Sequence, residues 1–357
     1  MQINELSTIL KGYFKWNKAR VDCLSRLLIA IIKVKTVNLV ALSSGFNSAA
    51  KPASRYKRIK RFFRQAPFQS TEIAQWVLQL FGLNQPVWLS LDRTNWRWGQ
   101  QDINILMLSA VYKGIALPLS WRLLSHPGNS SASLRIELIE QFIAKFGKQA
   151  IAGLIADREF TGKAWIGWLR AQHIPFCMRL RCDLITTNSR GLEVDLHALF
   201  YGLQPGEQRI LKTPRKLGKQ QVYLSGTQTQ DGQLLLLATD QLLIDPIGLY
   251  QKRWQIETLF GCLKSKGFCL EETRLTTPDR MDRLLSFISM AFAWAYKVGE
   301  WKNTQQPIRC LKHGRKAHSL FRYGLDYMRD ICLNFSHHSI SRLRRLFSFL
   351  HLHRLHP

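Results

Sequence analysis

The sequence predicts an α/β core with a partly antiparallel sheet, preceded by a basic all-α segment and followed by a helical tail. Three observations predict this. Short β-rich apolar runs alternate with amphipathic helical runs from about residue 87 to 180. Brief β-runs separated by basic turns such as Pro214–Lys219 fill residues 181–243. Residues 1–75 and 301–357 read as helical, with 14 Lys and Arg against 3 Asp and Glu in the first stretch and 11 against 2 in the second.

The elements follow in order. Val21–Ile32 has helical apolar spacing, Val37–Leu42 extends or follows it, and Ser43–Asn47 reads as a turn. Lys51–Gln65, KPASRYKRIKRFFRQ, puts Pro52 in a first helical turn, with Ile59, Phe62 and Phe63 as its apolar stripe. Thr71–Leu80 is a helix capped by Ser70 and closed by Gly82. After Pro86 the period changes. Val87–Leu91 is a short strand ending in Asp92, and Ile103–Tyr112 with Ile115–Leu124 form a hairpin turning at Lys113–Gly114. Pro118 puts the second hairpin strand at an edge or a bulge. A helix over Ser131–Phe146, a buried strand Ile151–Ala156 ending in Asp157, a helix over Thr161–Gln172 and a strand over Ile174–Leu180 complete the core. Three strands, helix, strand, helix, strand is the order of an RNase H-like domain. The β-rich insertion, with runs Gln208–Lys212, Gln221–Leu224 and Gln233–Ala238, occupies about residues 181–243. Helices over Pro246–Lys264, Asp279–Lys297 and Ser341–Leu350 follow. The expected domains are 1–75, 76–300 carrying that insertion, and 301–357.

Hydrophobic residues make up 46% and charged residues 21%, which excludes a disordered chain. The formal net charge of +27 is far more than solubility requires, and its usual partner is a nucleic acid. Lys51, Arg55, Lys57, Arg58 and Arg61, with no acid among them, are the expected DNA-phosphate contacts. A solvated surface helix is the competing reading, and no helix-turn-helix signature shows which helix reads bases. A membrane surface is the rival polyanion. However, Lys33 and Lys35 break the apolar run Leu27–Val40, Leu284–Tyr296 is too short to span, and no signal peptide is visible, so a cytoplasmic protein is expected. The seven cysteines include no C-x-x-C pair and read as reduced thiols. His337–His338 and His351-x-His353 lack acidic or cysteine companions and read as DNA-facing charge rather than a metal site.

The chemistry centres on Tyr250–Lys264, YQKRWQIETLFGCLK. At the helical step, Tyr250, Arg253, Glu257 and Lys264 share one face, opposite Ile256, Leu259, Phe260 and Leu263. A solvated face with i,i+4 ion pairs would look the same. Asp92 and Asp157 at strand ends, with Glu257 from a helix, can supply three hard oxygen ligands. Such a set suits two Mg²⁺ ions, or Mn²⁺, sharing substrate phosphate. Glu159 is a rival ligand, ranked below Asp157. Trp96 and Trp98 could stack on substrate or fill the core. Asn95 reads as a turn residue, and His126–Ser130 as a loop beside the core.

With these residues in view, the sequence resembles the DDE transposases of bacterial insertion sequences, in the branch marked by Y-(2)-R-(3)-E-(6)-K. Tyr250, Arg253, Glu257 and Lys264 fit that spacing, and LSLDRTNW and LIADREF fit the first and second acidic motifs. The tail KSKGFCLEETRL after Lys264 has the family character, and the resemblance covers roughly residues 85–300. It implies an RNase H-like fold with Asp92, Asp157 and Glu257 as catalytic metal ligands. Arg253 and Lys264 would grip phosphates, and Tyr250 would help place the cleaved strand. The expected partners are double-stranded DNA, the element's terminal inverted repeats and target DNA, handled by a homodimer on paired ends, with no membrane. The host compartment would be the bacterial cytoplasm, at the nucleoid. Hairpin-forming relatives use a tryptophan of the insertion to capture a flipped base. Here no Trp lies between Trp168 and Trp254, which leaves Phe200, Tyr201 or Tyr223 as candidates. A catalytically inactive DNA-binding descendant and a metal nuclease that cuts without joining stay open as alternatives.

Overall fold

Apolar residues recur at helical spacing through the first 80 positions, and five helices form there: α1 (Gln2–Tyr13), α2 (Lys18–Val34), α3 (Leu39–Gly45), α4 (Pro52–Gln65) and α5 (Ser70–Leu80). They belong to a computed structural model that describes residues 2–312, 314–334 and 337–351. The Asn17 side chain accepts from the Arg20 N–H to start α2, and Asn38 accepts from Val40 and Ala41 to start α3. Pro52 lies in the first turn of α4, which buries Ile59, Phe62 and Phe63. The expected turn at Ser43–Asn47 is helical as far as Gly45, and α1 was not anticipated.

The sheet region runs β1 (Val87–Trp98), β2 (Gln101–Tyr112), β3 (Ile115–Leu124), α6 (Ala132–Phe146), β4 (Ile151–Ala156), α7 (Lys163–Ala171) and β5 (Phe176–Leu180). Next come β6 (Ile185–Thr187), β7 (Glu193–Asp195), β8 (Gln208–Ile210), β9 (Arg215–Leu217), β10 (Gln220–Gln228) and β11 (Leu234–Thr239). The main sheet has the order β3-β2-β1-β4-β5-β11-β10-β8. β1, β4 and β5 are parallel, whereas β3 on β2 and β11 on β5 are antiparallel. The architecture is therefore mixed α/β around a central mixed sheet. The insertion strands β8, β10 and β11 widen that sheet instead of forming a separate layer. Only β6 and β7 pair apart from it.

Lys113 and Gly114 turn the β2–β3 hairpin with φ of 35° and 88°, the positive pair that a mirror-type tight turn requires. Pro118 lies on edge strand β3 opposite Ser109, next to the register shift between Leu108 and Ser109, a position where a missing N–H is tolerated. Gly153 of β4 faces Trp88, and a Cβ there would collide with the indole.

The chain continues with α8 (Pro246–Gln251), α9 (Trp254–Leu263), α10 (Pro278–Gln305), α11 (Leu320–Leu333) and α12 (His337–Ser348). α10 packs on α11 at close range, because a Cβ on Gly299 would strike the Leu320 carbonyl and one on Gly324 the Ala295 carbonyl. Contacts divide the chain into two compact units. One comprises residues 1–84, 96–103 and 259–357; the other comprises 85–95 and 104–258. Among the described residues no single helix is long and apolar enough to cross a membrane. α2 and α3 reach that apolarity only together, across a 102° bend.

Two expectations are corrected. Asp92 is the sixth residue of the twelve-residue β1 and does not end a strand, because Thr94 and Trp96 keep the alternating burial going beyond it. This also makes Asn95 a strand residue and not a turn former. The helix expected over Pro246–Lys264 is two helices that break at Lys252–Arg253.

Candidate phosphoryl-transfer site

The parallel pairing of β1 with β4 fixes the first two acids. Leu91 lies opposite Ala156, so the next residues on each chain, Asp92 and Asp157, come side by side. Asp92 Oδ1 accepts from the Arg93 N–H at 2.8 Å, and Asp157 Oδ1 from the Arg158 N–H at 2.7 Å, where it caps a short 3-10 turn.

The helix break brings in the other residues. Asp245 caps α8, and Tyr250 is buried with Ile155, Cys177, Leu235, Leu237 and Ile247, which leaves its hydroxyl at the sheet edge. From Tyr250 to Ile256 the backbone tightens to i→i−3 hydrogen bonds, with Arg253 N–H to Tyr250 O at 2.9 Å and Ile256 N–H to Arg253 O at 3.0 Å. In such a turn residues three apart eclipse, which lays the Arg253 guanidinium 5.7 Å from the Tyr250 ring centroid. Arg253 then ties the site together. Its Nη1 donates to Asp92 Oδ2 at 3.0 Å and its Nη2 to Glu257 Oε1 at 2.6 Å. Its Nε donates to the Tyr250 hydroxyl at 3.1 Å, and that hydroxyl donates to Asp157 Oδ1 at 3.1 Å. Arg253 is 4% exposed, while the Glu257 side chain is 53% exposed.

The electrostatics follow from burial and crowding. Burial, with the nearby Glu159 and Asp157 charges, pushes the Asp92 carboxyl up to about 6 despite the Arg93 N–H and Arg253. Burial alone would lower the Arg253 guanidinium, but Tyr250, Glu257, Asp92 and Asp157 reverse this and hold its proton above the ordinary value. Burial and Asp157 raise the Tyr250 phenol, so it stays a neutral donor.

Beside these acids lies a network that the sequence did not reveal. Arg93 forks onto Glu159 with both contacts at 2.7 Å, and also reaches Asn104 Oδ1 at 3.0 Å and Asn129 Oδ1 at 3.1 Å. Asn104 Nδ2 donates to the His126 and Gly128 carbonyls, which ties the 126–130 loop to β2. Arg135 Nη2 donates to the Glu159 carbonyl at 3.2 Å. Burial above all, against the Glu159 charge and with help from Arg93, lowers the Arg135 guanidinium to about 10. Glu159 is therefore committed to Arg93, and it lies in the 3-10 turn Arg158–Phe160, where strand alternation does not apply. The signal in the sequence was an Arg after Asp92 and a Glu two residues after Asp157, but no spacing rule pairs them.

The remaining expected residues lie elsewhere. Lys264 follows the end of α9, 2.9 Å from Glu271 and 5.3 Å from the Trp96 ring centroid; Trp96 is buried and Trp98 exposed. Of the cations on and just before α4, Lys51, Lys57 and Arg61 are exposed. Arg55 instead donates to the Phe46 carbonyl at 3.3 Å, and Arg58 pairs with Asp22 at 2.8 Å. The side chains of His337 and His338, and all of His353, lie outside the described residues. Phe200 is buried and Tyr201 exposed.

Asp92, Asp157 and Glu257 are the residues that could hold a metal, and their donor set, carboxylate oxygen throughout, fits a hard divalent cation. Burial and the neighbouring Glu159 and Asp157 charges raise the Asp92 carboxyl, and Arg253 opposes them. Among the described residues no three His, Cys, Asp or Glu side chains are already gathered around one point.

One solved structure similar to the chain is described as a cryo-EM structure of the piggyBac transposase synaptic complex with hairpin DNA. It is 12% identical with a TM-score of 0.46, over 96% of this chain and 78% of that one. No curated protein matches the chain. The model of the transposase DDE domain matches residues 84–294, more than half the length and a span that includes Asp92, Asp157 and Glu257, and the chain belongs to that family.

Proposed function

We propose that the protein cuts the ends of a bacterial insertion sequence and joins the freed 3′-OH to target DNA by metal-dependent phosphoryl transfer on an RNase H-like core. The observation that carries this reading is the convergence of Asp92, Asp157 and Glu257 through Arg253 and Tyr250. Packing alone would not bring the carboxylates of β1 and α9 to one buried guanidinium, with that of the end of β4 joined to it through the Tyr250 hydroxyl, given the cost of burying charge.

Asp92, Asp157 and Glu257 would hold two Mg²⁺ ions, or Mn²⁺. When bound, such ions supply a deprotonated nucleophile and Lewis-acid stabilisation of the leaving oxygen. The chain's own residues do the rest. Arg253, already oriented by Tyr250, exchanges its carboxylate partners for a DNA phosphate, which its planar fork fits as well. Tyr250 keeps the guanidinium aligned and keeps a hydrogen bond on Asp157. Lys264 adds a point charge to the backbone. The Arg93–Glu159 fork holds the segments carrying Asp92 and Asp157 in register.

Lys51, just before α4, and Arg55, Lys57, Arg58 and Arg61 of α4 are proposed as DNA contacts in a helical domain of residues 1–75, with catalytic residues 76–300 and a basic tail after 300. Of these, the exposed Lys51, Lys57 and Arg61 are best placed for phosphate. A homodimer on paired terminal repeats, in the bacterial cytoplasm, completes the proposal.

The test is excision of a marker placed between the DNA segments that flank the gene. Excision with the wild type and none with Asp157→Asn, at equal binding of the ends, supports the reading. Binding without cutting by either protein overturns it in favour of an inactive DNA-binding descendant.

A further inference from the structure

The end of α10, α11 and α12 enclose a groove of about 480 Å³ whose lining includes Trp301, Lys302, Gln305, Tyr327, Arg342 and Arg345. That volume is in the range of small-ligand sites. Aromatic rings and cations alternate along it. Lys302 Nζ lies 4.3 Å from the Tyr327 ring centroid and 4.9 Å from that of Tyr323, and the Arg345 guanidinium lies 5.0 Å from Trp301. The Trp301 and Tyr327 centroids are 6.0 Å apart at 49°. Both rings are half-buried, and Arg342 and Arg345 are exposed.

Among the described residues no carboxylate pairs with Lys302, Arg342 or Arg345; the salt bridges of α11 and α12 are those of Asp326 with Arg322 and Lys35 and of Arg344 with Glu5. The one acid in the lining, Asp330, accepts from the Asn334 amide at 2.6 Å. Packing alone would bury these rings and leave the cations to solvent. Here the cations lie on half-open ring faces, an arrangement that holds positive charge ready without neutralising it.

We propose that this groove binds one unpaired nucleotide of a DNA strand. The base stacks on Trp301 or Tyr327, its edge meets the Gln305 amide, and its flanking phosphates take Arg342 and Arg345. Phosphate satisfies a guanidinium better than a ring face does, so the arriving strand frees the ring as it takes the cation. Stacking on an aromatic face tolerates any base, so no sequence preference is expected. The inference rests on the reading of the chain as a DNA-processing protein.

The test uses the full-length protein and a single-stranded oligonucleotide carrying 5-iododeoxyuridine, cross-linked by light and mapped by mass spectrometry. Cross-links on Trp301, Tyr323 or Tyr327 are expected. In binding assays Trp301→Leu should weaken the single strand roughly tenfold, as expected for one lost base stack, and leave duplex binding unchanged. Trp301 also packs on Phe349, 5.2 Å between centroids, so a second variant on exposed positions guards against misfolding. Arg342→Gln with Arg345→Gln should flatten the salt dependence of single-strand binding by roughly 1.4, at about 0.7 per phosphate contact.

Cross-links confined to other segments overturn the proposal. So does a flattened salt dependence with Trp301→Leu binding like the wild type, which would leave only a phosphate-attracting patch. End cleavage on the same protein separates the two readings. Cross-linking at Trp301 without cleavage by the wild type refutes the catalytic site and supports the groove. Cleavage with no cross-link in the groove refutes the groove alone.

Discussion

Replacing Asp92 with Asn should make the protein more stable near neutral pH while abolishing cleavage. The folded state raises the carboxyl from its ordinary 3.8 to about 6, through burial first and then the Glu159 and Asp157 charges. At about 1.36 kcal/mol per pH unit, ionising Asp92 costs the folded state about 3 kcal/mol by neutrality, as an upper figure. Because the folded protein holds this proton more tightly than the unfolded chain, the penalty is absent below about pH 4. It grows as pH rises and is complete above about pH 6.5. The amide of the variant cannot ionise, so the variant escapes it. Urea unfolding in EDTA from about pH 3.5 to pH 7.5 should show the two proteins nearly equal at the acid end. At the neutral end the variant should lead by about 1–3 kcal/mol. Mn²⁺ added at pH 7.5 should stabilise the wild type and leave Asp92→Asn unmoved, because only a ligand that binds the folded site shifts the equilibrium. A variant no more stable than the wild type at neutral pH would refute the reasoning.

Arg253→Gln removes the counter-charge of both Asp92 and Glu257 and should cost about 3 kcal/mol in urea unfolding, the scale for breaking a buried ion pair. Part of that loss should return on adding Mn²⁺, which would take over the same carboxylates. Tyr250→Phe leaves the buried Arg253 Nε without its acceptor and should cost about 1–3 kcal/mol; single-turnover cleavage should slow while gel-shift affinity for the ends holds. Gly299→Ala drives a methyl into the Leu320 carbonyl and should cost about 3 kcal/mol or more, the upper end for overpacking, read as a lowered unfolding midpoint.

The core strands and helices were legible where period and boundary residues agreed. β3 and β4 have the bounds their apolar β-rich runs indicated, and Ser131 caps α6 as a Ser before an apolar stripe should. β1 was cut short because Asp92 looks like a strand end, whereas the alternation of Thr94 and Trp96 carries the strand on through a polar stretch. The acids could be found because each follows or interrupts an apolar run. The break at Lys252–Arg253 was not legible, since no Pro or Gly marks it. It is set by Tyr250 being drawn into the core and Arg253 being drawn to three carboxyl-linked partners, which are tertiary contacts. The same holds for Arg93 and Glu159, 66 residues apart. Sequence indicated that Arg253 faces phosphate, but in the DNA-free chain its charge is used internally.

The most direct measurement of metal-dependent cleavage at Asp92, Asp157 and Glu257 places a single sulfur at the scissile phosphate of an element end. Cleavage by the wild type should fail in Mg²⁺ and recover in Mn²⁺, the softer ion that accepts sulfur as a ligand. Cleavage at equal rates in both ions, or cleavage that survives Asp157→Asn, would contradict it.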